Sequence, residues 1–144
     1  MKNKNIFLFI VAICFFCGCY DVRTNHQLSL TNKSDRKISI LYSNLSDKTL
    51  TENNVAYYTS DWNIIKPDSS NDIVKLGGKD AWHNYIDKNK TRKLFIYVFE
   101  TDSLKKYDGI YSMEDIVNKH KYLKLLCYSE SDLNKINWQI TFNK

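Results

Sequence analysis

Leu94-Phe95-Ile96-Tyr97-Val98-Phe99 is the most strand-prone run of the chain outside its N-terminus, and it sits between Arg92-Lys93 and Glu100-Thr101-Asp102. Every residue in it is β-branched, aromatic or Leu. Leu94, Ile96 and Val98 share one face of such a strand, and Phe95, Tyr97 and Phe99 share the other. A strand apolar on both faces is a central one, with something packed on each side. The rest of the chain must therefore supply two covering layers.

Alternation supplies strands for them. In 26–31, Leu28 and Leu30 alternate with Gln27, Ser29 and Thr31; in 36–42, Ile38, Ile40 and Tyr42 share a face. Asn32-Lys33-Ser34-Asp35 between them has hairpin chemistry, so the two segments are expected to pair antiparallel. Short strands are also predicted over 55–59, 62–66 and 72–76, with a turn at Pro67-Asp68-Ser69-Ser70-Asn71. Gly77-Gly78 breaks the chain before Asp80, the expected cap of a helix over 80–87 that spaces Trp82 with Ile86 and Ala81 with Tyr85.

After the central strand, 102–107 predicts one helical turn. Ser112 and Asp115 resemble a capping box that opens a helix with Met113, Ile116, Val117 and His120 on one face. A strand over 122–128 follows, placing Leu123, Leu125 and Cys127 on one buried face. A short helix begins at Ser129-Glu130-Ser131-Asp132 and carries Leu133 and Ile136, and a last strand alternates Trp138, Ile140 and Phe142. About seven or eight short strands with polar turns predict a mainly β, two-sheet sandwich, immunoglobulin-like, with short helices between the later strands. The alternative is an α+β fold, one sheet backed by the helices at 80–87 and 113–120.

A chain of 144 residues has room for one domain with a real core. Its 43% hydrophobic and 14% aromatic content excludes a disordered chain. With four Gly and one Pro, most turns fall to Asn, Asp and Ser.

At the N-terminus, Lys2 and Lys4 precede an uninterrupted apolar run from Ile6 to Phe16. That is shorter than the about 20 residues that cross a bilayer, so it reads as a secretory signal. Phe16-Cys17-Gly18-Cys19 follows and resembles the lipobox of bacterial lipoproteins, with Phe16 where Leu is usual. The resemblance implies a signal peptide over 1–18, cleavage before Cys19, diacylglycerol and palmitate on Cys19, and a tether over 19–25 leading to a single β-rich domain over 26–144. Cys14 and Cys17 follow Ile13 and Phe16, where the lipobox needs a small residue. Cleavage takes the formal charge from +5 to +3, because residues 1–18 carry Lys2 and Lys4 and no acid. Cys127 is then left without a thiol partner and reads as a small core hydrophobe.

Further pieces occur in a recognisable order. They are 28–38 (Leu-Ser-Leu-Thr-Asn-Lys-Ser-Asp-Arg-Lys-Ile), Pro67-Asp68-Ser69-Ser70, 94–99, Asp102-Ser103-Leu104 and 131–142. Together with the lipobox they look like a group of small, uncharacterised lipoproteins of Bacteroidetes. The most specific part is the Asp132-Leu133 and Asn137-Trp138 pattern; the group's usual Tyr-Pro ending is replaced by Phe142-Asn143-Lys144. The resemblance implies a lipid-anchored protein of the cell envelope, at the outer membrane, facing either periplasm or medium. It implies no activity.

The residues offer little chemistry. His26, His83 and His120 are dispersed, with no metal-ligand spacing. No nucleophile motif or phosphate-cradling Gly loop is present, and Asp80, Asp87, Glu114 and Asp115 read as caps or solvated acids. The expectation is a protein without catalytic residues, metal or cofactor, and with no nucleic-acid partner. Trp62 and Trp138 are assigned to the core. Tyr57, Tyr58, Trp82 and Tyr85 are the candidate binding aromatics. The leading expectation is a membrane-anchored, non-catalytic module that binds an envelope protein; the alternatives are a surface glycan-binding accessory module and a small secreted hydrolase.

Overall fold

The computed structural model describes residues 24–44 and 52–143. The expected signal peptide, Cys19 and most of the expected tether lie outside them. Seven strands form two sheets: β1 (Thr24–Asn32), β2 (Ile38–Ser43), β3 (Ile64–Ile65), β4 (Ser70–Leu76), β5 (Lys93–Glu100), β6 (Lys124–Ser129) and β7 (Gln139–Phe142). One sheet has the order β4-β1-β7 and the other β3-β2-β5-β6. The molecule is a small two-sheet sandwich with short helices. β1 already begins at Thr24, inside the segment expected to be tether.

β5 is central, antiparallel to β2 on one side and to β6 on the other. Leu94, Ile96 and Val98 enter the inter-sheet core with Leu28, Leu30, Ile73, Ile140 and Phe142. Phe99 enters a second cluster on the opposite face, with Leu41, Val55, Leu104, Met113 and Ile116. That cluster is roofed by α1 (Val55–Tyr58), α3 (Thr101–Lys105) and α4 (Met113–Asn118). The two apolar faces of the run are thus satisfied by two different layers. α2 (Ala81–Asp87) instead inserts Trp82 and Ile86 between the sheets.

Several local expectations hold. Ser112 accepts from the Asp115 N–H while the Asp115 carboxylate takes the Ser112 N–H, and Ser129 with Asp132 repeats the arrangement at α5 (Glu130–Lys135). Trp138, Ile140 and Phe142 are buried.

Others are corrected. β1 and β2 do not pair: they lie in different sheets, and the turn between them is a corner. Asn32 makes that corner. Its side-chain nitrogen donates to the carbonyls of Arg36 (2.7 Å) and Ile65 (3.0 Å), and its oxygen accepts from the Ser34 N–H (3.0 Å) and hydroxyl (2.7 Å). Residues 55–59 are not a strand. The Asn54 side chain accepts from the Ala56 N–H at 2.9 Å, and this N-cap wins over the β-propensity of Val55, Tyr57 and Tyr58. The strand expected over 62–66 shrinks to Ile64–Ile65 behind a 3-10 turn, Asp61–Asn63. Asp80 holds the N-cap position of α2 but makes no side-chain cap bond. Cys127 is exposed rather than buried, as are Leu125 beside it on β6 and Leu123 just ahead, where β6 forms the edge of its sheet.

Candidate functional site

β3 pairs only with Ile38 and Ser39 of β2, and β4 ends the other sheet. Between β4 and the stretch of β2 that β3 does not reach, the sandwich opens into a cleft of about 540 Å³. Specific small-ligand sites occupy about 300–1,000 Å³. The lining includes Ile40 and Tyr42 of β2, Asn71, Ile73 and Lys75 of β4, and Tyr85 of α2. Tyr57 and Tyr58 of α1, with Trp62 and Asn63 of the 3-10 turn, complete the aromatic wall, and Glu52 and Asp72 also line the cleft.

The wall is tied down by polar groups. The Ser60 hydroxyl donates to the Tyr57 carbonyl at 2.6 Å, and the Asn63 amide donates to the same carbonyl at 2.7 Å. The Asn71 amide reaches the Trp62 carbonyl at 3.5 Å, linking the turn to β4. Trp62 is therefore 73% exposed, yet it stands on a braced turn; Tyr57 is 47% exposed. These two rings face solvent at the cleft. The Tyr57 and Tyr58 rings meet edge to face at 5.1 Å.

Deeper in, Tyr42, Trp82 and Tyr85 form a triangle of edge-to-face rings with centroids 5.2, 5.8 and 6.0 Å apart. Such pairs each contribute about 0.5–1.5 kcal/mol beyond area burial. Asn44 pins Tyr85 twice: its N–H donates to the phenol oxygen at 3.2 Å and its side chain to the Tyr85 carbonyl at 2.6 Å. The Lys75 ammonium lies 3.8 Å from the centre of the Tyr85 ring and 5.4 Å from that of Tyr42, a cation–π contact with each.

Burial pushes the Tyr42 phenol up to about 12, with Tyr85 and then Tyr57 adding to it. Burial raises Tyr58 further, helped by Tyr57 and Glu52. Tyr85 is raised by burial against the opposing pull of the Asn44 N–H. These phenols are neutral donors and acceptors at neutral pH. Lys75 is lowered by burial and then by the charge of Lys88.

Of the four candidate aromatics, Tyr57, Tyr58 and Tyr85 converge here. Trp82 does not face the cleft as a binding ring: it is 0% exposed and backs Tyr42 and Tyr85 from within the core. Trp62, assigned to the core, is the most exposed ring at the mouth. Its alternation with Ile64 was misleading because the 3-10 turn breaks the strand period before it. Tyr42, expected only as one of the inward residues of β2, and Lys75 complete the lining. For Lys75 a signal existed: it shares the register of Asn71 and Ile73 on a short strand, which aims a charge inward.

Elsewhere, the His83 ring meets the Glu130 carboxylate at 2.8 Å, and this hydrogen bond raises the imidazole above its ordinary value. The pair is solvent-exposed and outside the cleft. Among the described residues no three His, Cys, Asp or Glu side chains come together to hold a metal, and no helix is long and apolar enough to cross a membrane. No family model, curated protein or solved structure matches the chain.

Proposed function

We propose that this chain is a lipid-anchored, non-catalytic binding protein of the cell envelope, and that its cleft binds a glycan. The observation that carries the reading is the pairing of two braced, solvent-facing rings, Trp62 and Tyr57, with amide, carboxylate and ammonium groups around one open cleft. A sugar ring has an apolar C–H face and a rim of hydroxyls. The first stacks on the electron-rich face of an indole or phenol, and the second needs polar side chains, of which Asn63 and Asn71 line the cleft. Anchoring rests on the pattern ending at Cys19, whose acyl chains would contribute about 0.8 kcal/mol per buried methylene.

A protein partner is the second reading, favoured by the free edge of β4, where Val74 and Leu76 are exposed and a partner strand could add. The two separate by titrating the full chain in detergent micelles with oligosaccharides while following tryptophan emission, to which the exposed Trp62 is most sensitive. Trp62→Ala is expected to weaken sugar binding by about tenfold, and its urea midpoint should stay put because the ring is outside the core. Binding that ignores this substitution sinks the glycan reading. For the anchor, Cys19→Ser should move the protein from the membrane to the soluble fraction; retention of an unlipidated, cleaved chain in the membrane rejects the assignment.

A further inference from the structure

We propose that the cleft is selective for anionic glycans, with the Lys75 ammonium meeting a carboxylate, sulfate or phosphate on the sugar; this rests on the reading of the cleft as a glycan site. β4 alternates so that Asn71, Ile73 and Lys75 are the less exposed set, while Ser70, Asp72, Val74 and Leu76 face out. A lysine in the inward register loses part of its hydration, a cost normally offset by a nearby acid. Among the described residues no carboxylate lies within ion-pair distance of Lys75. Among these residues its charge is met by the faces of Tyr85 and Tyr42, and both phenols stay neutral because burial raises them.

The two acids that line the cleft are engaged elsewhere. The Glu52 carboxylate accepts from the Asn54 N–H at 2.8 Å, ahead of α1. Asp72 is in the outward register and lies 3.6 Å from the His26 ring. Lys88 adds positive potential at Lys75, which lowers it further. Among the described residues the cleft thus offers a partly desolvated cation with no carboxylate in ion-pair contact. A charge-assisted hydrogen bond from such an ammonium is about twice as strong as a neutral one. An inward lysine on an edge strand also discourages strand-to-strand aggregation, so the test must separate recognition from that service.

The full chain in micelles is titrated at low salt with oligogalacturonate and with its methyl ester, which removes the charge and keeps the sugar. A sulfated galactose oligosaccharide and a phosphorylated mannose oligosaccharide distinguish the anion sources. At least one anionic sugar is expected to bind about tenfold more tightly than the neutral ester, an advantage that Lys75→Gln erases and Lys75→Arg keeps. Added salt should reduce the same advantage. Urea midpoints of both variants establish that they fold. Equal affinity for charged and neutral sugars, or charge selectivity that survives in Lys75→Gln, overturns the proposal and leaves the glycan reading standing. Failure of every sugar to bind removes both.

Discussion

Asn32 is a fully buried polar residue with no unmet group on its side chain: two donors reach two carbonyls and one oxygen takes two donors. Its backbone is used as well, donating to Ser69 at 2.9 Å and accepting from Asp68 at 2.8 Å. Replacing it with Ala removes a donor from the Ile65 carbonyl and the acceptor of the Ser34 N–H, and leaves the Arg36 carbonyl with the 3.3 Å bond from the Ser34 hydroxyl. Since one unsatisfied buried group costs about 1–3 kcal/mol, Asn32→Ala should lose about 3 kcal/mol, read as a fall in urea midpoint at unchanged slope. A loss below about 1 kcal/mol would mean water replaces the amide and the corner is not its work. The residue types around Asn32 signalled a turn correctly. They could not say whether the turn folds a hairpin or passes from one sheet to the other, since that depends on where Ile65 lies, more than thirty positions downstream.

At the scale of elements, hydrophobic period located faces better than it located partners. The 3.6-residue spacing of Met113 and Ile116 and the alternation of Trp138, Ile140 and Phe142 both describe buried faces. The period-2 reading of β2 gives its inward side, Ile38 and Ile40, but sets β1 beside it, where β5 and β3 lie. It failed at α1, where Val55, Tyr57 and Tyr58 have strand propensity and a helix forms. One capping side chain decides that contest, so Asn54→Ala should cost about 1 kcal/mol in urea unfolding. It should also weaken ligand binding, because α1 carries two rings of the cleft. Unchanged stability would assign the helix to the packing of Val55 alone. The candidate site was legible in part for the same reason. Aromatic residues advertise themselves in a sequence, whereas the opening they line depends on β3 being two residues long and reaching only Ile38 and Ser39 of β2.

For the whole molecule, buried phenols set a limit on alkaline stability. Tyr42, Tyr58, Tyr85, Tyr97 and Tyr128 are all raised, in each case chiefly by burial. The unfolded chain releases these protons near pH 10, while the folded one holds the Tyr42 proton to about 12. Their contribution is complete below the unfolded value and falls as pH rises between the two. Lys75, held low in the fold, has the opposite sign, since stability rises as it deprotonates, and it is one group against five. The urea midpoint should therefore be lower at about pH 11.5 than at about pH 9, with a shallower decline in Tyr42→Phe. A flat profile would mean the phenols titrate freely and the aromatic layer opens readily to solvent.

The parallel pairing of β1 with β7 carries a consequence for how the chain assembles. Leu30 lies beside Ile140 and Asn32 beside Phe142, so β1 takes its second neighbour from residues far later in the chain. One flank of β1 stays vacant until that late arrival. The architecture behaves like a clasp whose tongue is threaded last, and closing that long loop sets the pace at which the fold completes.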